Sequence, residues 1–275
     1  GRIVSLPYGS GQALAFDGSG DYLNAGSDIQ IDDRSFSISF WAKRASTGSN
    51  AFIVGQGSES ETRKSLHVGF RSNNRFTFAF FGDDLDTDDS YADTGWHHWT
   101  VTFDASTNGR RIYRDGVQVA ADNAGGAFQG TGDFFIGQRA DGGGGQEFDG
   151  QIDLVRVWNR ALAHPEVQAR MNRSIDLSSA TADELVASYR FDEGTGATAY
   201  DAVGGHHGAF QGDPQWTDPS GASVGQESAL LTDGTTPVTV GPSGSRVEAT
   251  LTSGTGLADD ATVYRWGTES GAVIT

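Results

Sequence analysis

TGWHHWTVTFDASTNGRRIYRDGVQV, residues 94–119, alternates apolar and polar side chains and then turns back on itself. Trp99, Val101 and Phe103 share one face of an extended chain, because successive side chains of a strand point to opposite sides. Asp115-Gly116 lies between two such runs, and both residues tolerate positive φ, so the pair predicts a tight hairpin. One buried face per strand and a short turn describe an antiparallel sheet.

The same period of two recurs on either side. Leu14 and Phe16 share a face in ALAFDGSGDYL, and Phe36, Ile38 and Phe40 do so in RSFSISFWAK. Leu66, Val68 and Phe70 align in LHVGF, and Phe76, Phe78 and Phe80 in RFTFAFFG. GQIDLVRVW is apolar on both faces and reads as a central strand. ELVASYRF, 184–191, returns to alternation, with Leu185, Ala187, Tyr189 and Phe191 on one face. LAHPEVQARM predicts a short helix, with Pro165 near its start, Glu166 in the first turn and Arg170 toward its end. About a dozen strands and this helix make an all-β sandwich.

Composition agrees with many strands and tight turns: 39 of 275 residues are glycine and 16 are phenylalanine. The formal charge of −17 excludes nucleic acid as a natural partner, since the mean field repels a polyanion, and suits divalent cations. No cysteine is present, which removes disulfides and thiolate metal sites. No run reaches the 18–20 apolar residues of a membrane span, so no membrane insertion is expected. The chain reads as part of a longer protein, joined to neighbouring domains of the same polypeptide. The Pro- and Gly-bearing stretch QWTDPSGASVGQ suits a linker. The boundaries expected are a sandwich over 1–218, then a linker and partial β segment over 219–275.

Taken in order, ALAFDGSGDYLNAG, SFSISFWAK, the stretch quoted first and FDGQIDLVRVWNRALAHPEV resemble the laminin-G-like jellyroll family of concanavalin A-like sandwiches. LVASYRFDEGTGATAYDAVGGHHGAFQG resembles a segment that often flanks such domains. The likeness covers about residues 12 to 218. It implies a concanavalin A-like jellyroll of two antiparallel sheets, of the kind common in bacterial secreted and surface proteins, where many members are accessory modules. It also implies bound calcium and a glycan or extracellular protein as ligand. The expected function is therefore a non-catalytic, calcium-stabilised extracellular binding module. A structural spacer or docking domain is the alternative, and a polysaccharide-acting enzyme comes after both.

The carboxylates of EFDGQIDLVRVW bear on that order. Related retaining glycanases resemble E-x-D-x-x-E on their active strand, with two carboxylates about 5–5.5 Å apart. Glu147 and Asp149 supply two positions, but the third, 152, is Ile and Asp153 comes one residue late. Only a bulge brings Asp153 into line, and nothing in the sequence asks for one. Asp153 shares a face with Val155 and Val157, where an unpaired carboxylate is costly and a calcium ion or backbone N–H groups would offset the cost. The resemblance makes Asp153 and Asp192 the first calcium pair, with Asp17 or Asp201 as substitutes, among the six to eight hard oxygens calcium takes. The alternative is that these are turn residues beside glycines.

Ligand-contacting candidates come from loops. Gly142 to Gly145 form a tract of little preferred shape beside Arg139, Asp141 and Glu147, either closing over a ligand or making a permissive surface turn. Tyr91, Phe128 and Phe148 sit at loop edges as candidate sugar platforms. The acidic run GDDLDTDDSYAD is expected to be a solvent-facing hairpin loop.

Overall fold

The structure is a computed structural model that describes residues 12–57, 61–140, 146–172 and 184–217, with five short strand segments between 229 and 274. The chain begins with β1 (Leu14–Asp17), β2 (Tyr22–Asn24) and the long β3 (Phe36–Arg44). A meander follows: β4 (Ala51–Gly57), β5 (Ser65–Phe70), β6 (Arg75–Ala79) and β7 (Asp84–Ser90). A second meander is β8 (His97–Asp104), β9 (Gly109–Arg114) and β10 (Val117–Asn123). Then come β11 (Phe134–Ile136), β12 (Asp149–Trp158) and the helix α1 (His164–Arg170). β13 (Leu185–Tyr189), β14 (Thr198–Ala199), β15 (Gly208–Gln211) and β16 (Gln215–Trp216) complete the sandwich.

These strands form two antiparallel sheets. Sheet A runs β10-β9-β8-β3-β12-β1-β16, and β13 pairs with β12 beyond the reach of β1. Sheet B runs β14-β15-β2-β11-β4-β5-β6-β7. The Asp115-Gly116 turn takes the expected form, with φ of 49° and 76° and Arg114 paired to Val117. Between the sheets lies a Phe-rich core in which Phe76 stacks on Trp99 at 3.9 Å and Phe36 meets Phe78, Phe103 and Phe128.

A second apolar cluster covers the outer side of sheet A. Tyr113, Trp158, Leu162, Val167 and Leu185 pack there, with Val167 supplied by α1. The helix starts as its sequence predicts: Glu166 accepts the Ala163 N–H at 2.9 Å and pairs with Arg160. Leu185 thus parts from Ala187, Tyr189 and Phe191, which lie in the central core. A register shift opposite Val157 and Trp158 separates them.

Two expectations fail in instructive ways. The acidic run is no loop: it is the edge strand β7, with Leu85 and Thr87 buried. Aspartates on an edge strand discourage pairing with another chain while the buried residues hold the strand in place. β12 does contain a bulge, between Asp153 and Arg156, with Leu154 at φ 48°. Val155 and Val157 consequently face the core, and Asp153 does not share their side.

The remaining short strands belong to a second compact unit. There β17 (Ala229–Thr232) pairs with β18 (Pro237–Val240), and β20 (Tyr264–Gly267) pairs with β19 (Arg246–Val247) and β21 (Val273–Ile274).

Candidate functional site

The outer face of sheet B is where rings and charged groups meet. On β5, Leu66, Val68 and Phe70 enter the core, so His67 projects from the opposite side. Its ring lies 5.2 Å from Phe52 and 6.0 Å from Phe81. Phe81 is half-buried and holds φ at 47°, a left-handed conformation that a bulky side chain rarely adopts. Arg71 approaches the Phe52 ring to 5.9 Å and donates to Asp84 at 2.8 Å and Thr77 at 3.2 Å, with Asp86 at 3.5 Å. Arg71, Asp84 and Asp86 all keep part of their side chains in solvent. A donor fork between two acceptors, beside a ring, can engage groups that both give and accept hydrogen bonds.

One border of this face is the chain on either side of the glycine tract. A side chain on Gly55 would strike the backbone of Arg139 and Ala140, so the chain after β11 crosses directly over β4. It returns at Gln146, whose carbonyl accepts the Phe52 N–H at 3.0 Å, and Glu147 bridges to Phe52. Arg139 donates to the Gln146 side chain at 3.0 Å, joining the two ends. Arg139 and Glu147 are therefore brought to this face, whereas Asp141 lies outside the described residues.

The aromatic candidates are corrected. Phe128 and Phe148 are fully buried in the core, Phe128 against Phe36 and Phe80, and neither offers a platform. Tyr91 lies under the Arg114 guanidinium at 4.5 Å, with its ring 5.3 Å from Trp99 and its carbonyl bonded by Arg44. These contacts make it a clamp between elements. Phe52, His67, Phe81 and Arg71 lie on the half of each alternation that does not enter the core, so the core-facing pattern of LHVGF and its neighbours carries no signal for them.

Comparison with known proteins agrees with this architecture. The laminin G-like model of the concanavalin A-like lectin/glucanases superfamily matches residues 17–168, more than half of the chain. The chain belongs to this superfamily. A candidate carbohydrate binding protein from Bacteroides ovatus superposes with a TM-score of 0.62 at 21% identity, over 80% of this chain and 62% of that one. A pentraxin from Limulus polyphemus gives 0.45 at 14%, over 61% and 82%. The CBM40 of the Ruminococcus gnavus IT-sialidase gives 0.48 at 14%, over 57% and 95%. No curated protein matches the chain.

In this concanavalin A-like sandwich the acidic candidates are dispersed. Asp153 is fully buried on the outer side of sheet A, where its carboxylate accepts the Leu154 N–H at 2.7 Å. Beside it, burial lowers the pKa of Arg156 to about 10, with Arg190 adding to the effect and Asp153 opposing it. The same layer holds His98, which burial and Arg156 push down to about 3 and so keep neutral. Asp17 is exposed and turns back to the Ser19 N–H at 2.8 Å, and Asp192 is exposed beyond β13. Asp201 accepts four backbone N–H groups. Among the described residues no three His, Asp or Glu side chains are arranged to hold a metal ion.

The glycanase pattern also comes apart. Glu147 bridges to sheet B, Asp149 receives the Ser46 hydroxyl on sheet A, and Asp153 lies buried. The bulge is present, but it follows Asp153 and leaves these three carboxylates in three different surroundings. No helix among the described residues is long and apolar enough to cross a membrane.

Proposed function

We propose that the chain is a non-catalytic, calcium-stabilised extracellular binding module whose ligand is a glycan held on the outer face of sheet B. What carries the reading is the cluster of Phe81, His67 and Phe52 with the Arg71–Asp84–Asp86 group. A sugar ring presents a C–H face that suits an aromatic ring, and its hydroxyls match a donor fork set between acceptors. The carbohydrate-binding description of the Bacteroides ovatus protein supports the same direction. In this proposal residues 1–218 form the binding module, and 219–275 lead into a neighbouring domain.

A glycan array should return ligands that then titrate in solution. Arg71→Ala and Phe81→Ala are each expected to weaken such a ligand at least about tenfold, roughly 1.4 kcal/mol. Arg71→Lys should rescue little, because an ammonium cannot reproduce the fork. Unchanged affinity in all three variants would remove this face from the proposal.

Calcium enters as a stabilising ion, with Asp153, Asp192 and Asp17 as the carboxylates to test. A thermal melt in calcium at a hundredfold excess over Kd should exceed the melt in EDTA by about 2.7 kcal/mol of stability. Asp153→Ala should abolish that increment, whatever its effect on the calcium-free protein. Identical melts with and without calcium would make the module metal-independent.

A further inference from the structure

Arg71 stands just past β5 with its backbone held on both sides. Its N–H donates to the Arg75 carbonyl at 2.9 Å, and its own carbonyl accepts the Asn74 N–H at 2.9 Å. The β5–β6 turn thus delivers the guanidinium to the outer face of sheet B.

Three contacts then divide that guanidinium into a used edge and an open end. Nη2 donates to Asp84 Oδ2 at 2.8 Å and to Oγ1 of the fully buried Thr77 at 3.2 Å. Nε reaches Asp86 Oδ1 at 3.5 Å. Nη1 bonds to no described residue. A carboxylate engages arginine best through two parallel N–H bonds. Each such fork needs Nη2, paired with Nε or with Nη1, and both Nη2 hydrogens are already placed. An incoming carboxylate is left with single bonds from Nη1.

Charge points the same way. Asp84 and Asp86 share the single positive charge of Arg71, so the three side chains together are net negative. The two aspartate side chains are 34% and 36% exposed, which leaves both open to an incoming ligand. Asp88 and Asp89 are exposed farther along the same strand, and the whole chain carries a formal −17. A further anion is therefore repelled by near carboxylates and by the mean field. A pair of neutral hydroxyls meets the opposite situation. One accepts from Nη1, and its neighbour donates to Asp84 or Asp86.

We propose that the outer face of sheet B selects neutral glycans and rejects those that present a sialate or uronate group, with Asp84 and Asp86 as the specificity-determining residues. They act twice, by occupying the Arg71 fork and by repelling a second carboxylate. This inference deepens the outer-face reading and rests on it.

The test presents the full chain, at low salt, with an array of neutral oligosaccharides and their sialate- or uronate-bearing counterparts. The leading ligands should be neutral, each at least about tenfold tighter than its acidic counterpart. Raising the salt to roughly 0.5 M should narrow that gap without closing it, because screening weakens the repulsion but leaves the fork occupied. The double variant Asp84→Asn with Asp86→Asn should reduce the gap about tenfold, with the acidic counterpart gaining affinity in absolute terms. A damaged face cannot imitate that gain. Asp86→Asn alone keeps the shorter Asp84 bond and should narrow the gap in part, which serves if the double variant does not fold. An acidic glycan that equals or exceeds its neutral counterpart, and is lost with Arg71→Ala, overturns the selection and leaves the outer face as the site. A gap unchanged in both Asn variants overturns the role of Asp84 and Asp86. Retention of no glycan, or retention indifferent to Arg71→Ala, removes the outer face and the selection with it.

Discussion

Asp201→Ala is expected to lower the unfolding free energy by about 3 kcal/mol. The side chain has no solvent exposure and organises the glycine-rich turn after β14. One oxygen accepts the N–H groups of Ser188 at 2.8 Å and Val203 at 3.0 Å. The other accepts those of Gly204 at 2.8 Å and His206 at 3.1 Å, with His206 Nδ1 at 3.0 Å. Alanine leaves the Ser188 N–H of β13 buried without a partner and frees a turn that Tyr189 also holds, through the His206 carbonyl. Asp201→Asn keeps the shape but turns one acceptor into a donor facing donors, so it should cost more than half as much.

The pH dependence separates charge from shape. Burial pushes the Asp201 pKa up, but the backbone N–H groups of Ser188, Val203, His206 and Gly204 outweigh it, and the net shift is below 3.8. A carboxyl depressed on folding contributes its full stability above its unfolded pKa and loses it as the pH falls through the folded value. Asp201 should therefore add stability at neutral pH that fades only below about pH 4. Urea midpoints at pH 7 and pH 3 should converge between the wild type and Asp201→Ala. Glu166, held at about 2 first of all by the Arg160 hydrogen bond, titrates in both proteins and cancels from the comparison. A difference that stays constant with pH would make the Asp201 contribution one of shape.

Alternation alone made most strands legible, because each run commits one parity to the core and a slip of one residue would expose all of it. The helix was legible from Pro165 and Glu166, and the hairpin from Asp115-Gly116. What alternation cannot report is a bulge: Leu154 is apolar on either side of a strand already apolar on both, so no residue type marks the shift there. The same limit hid Asp201. An aspartate beside glycines reads alike whether it serves an ion or four N–H groups, and only the positions of Ser188 and His206 distinguish them. Phe128 and Phe148 stand at loop edges in sequence but not in space. Both connections dip into the sandwich and bury their rings.

Arg110 shows how charge reached the interior without a sequence signal, and Arg110→Ala is expected to cost about 3 kcal/mol. The residue is 1% exposed on β9. Nε and Nη2 bind the two Asp122 oxygens at 2.9 and 2.6 Å across the β9–β10 hairpin. Nη1 and Nη2 reach the Asp83 carbonyl at 2.6 Å and its carboxylate at 3.1 Å, and the guanidinium lies 5.1 Å from the Phe80 ring. One side chain thus fastens the edge of sheet A to the start of β7 in sheet B. Asp122 can rehydrate when the arginine goes, but Asp83 is more enclosed and also holds the Gly125 N–H at 2.8 Å. Chemical denaturation of Arg110→Ala, Asp83→Ala and the double variant should give a double cost well below the sum, since both singles break the same contact. Arg110→Lys should recover less than half, because one ammonium cannot span both carboxylates and the carbonyl. If Arg110→Ala costs under about 1 kcal/mol, the range of a surface pair, the packing of Phe36, Phe80, Phe103 and Phe128 closes this edge unaided.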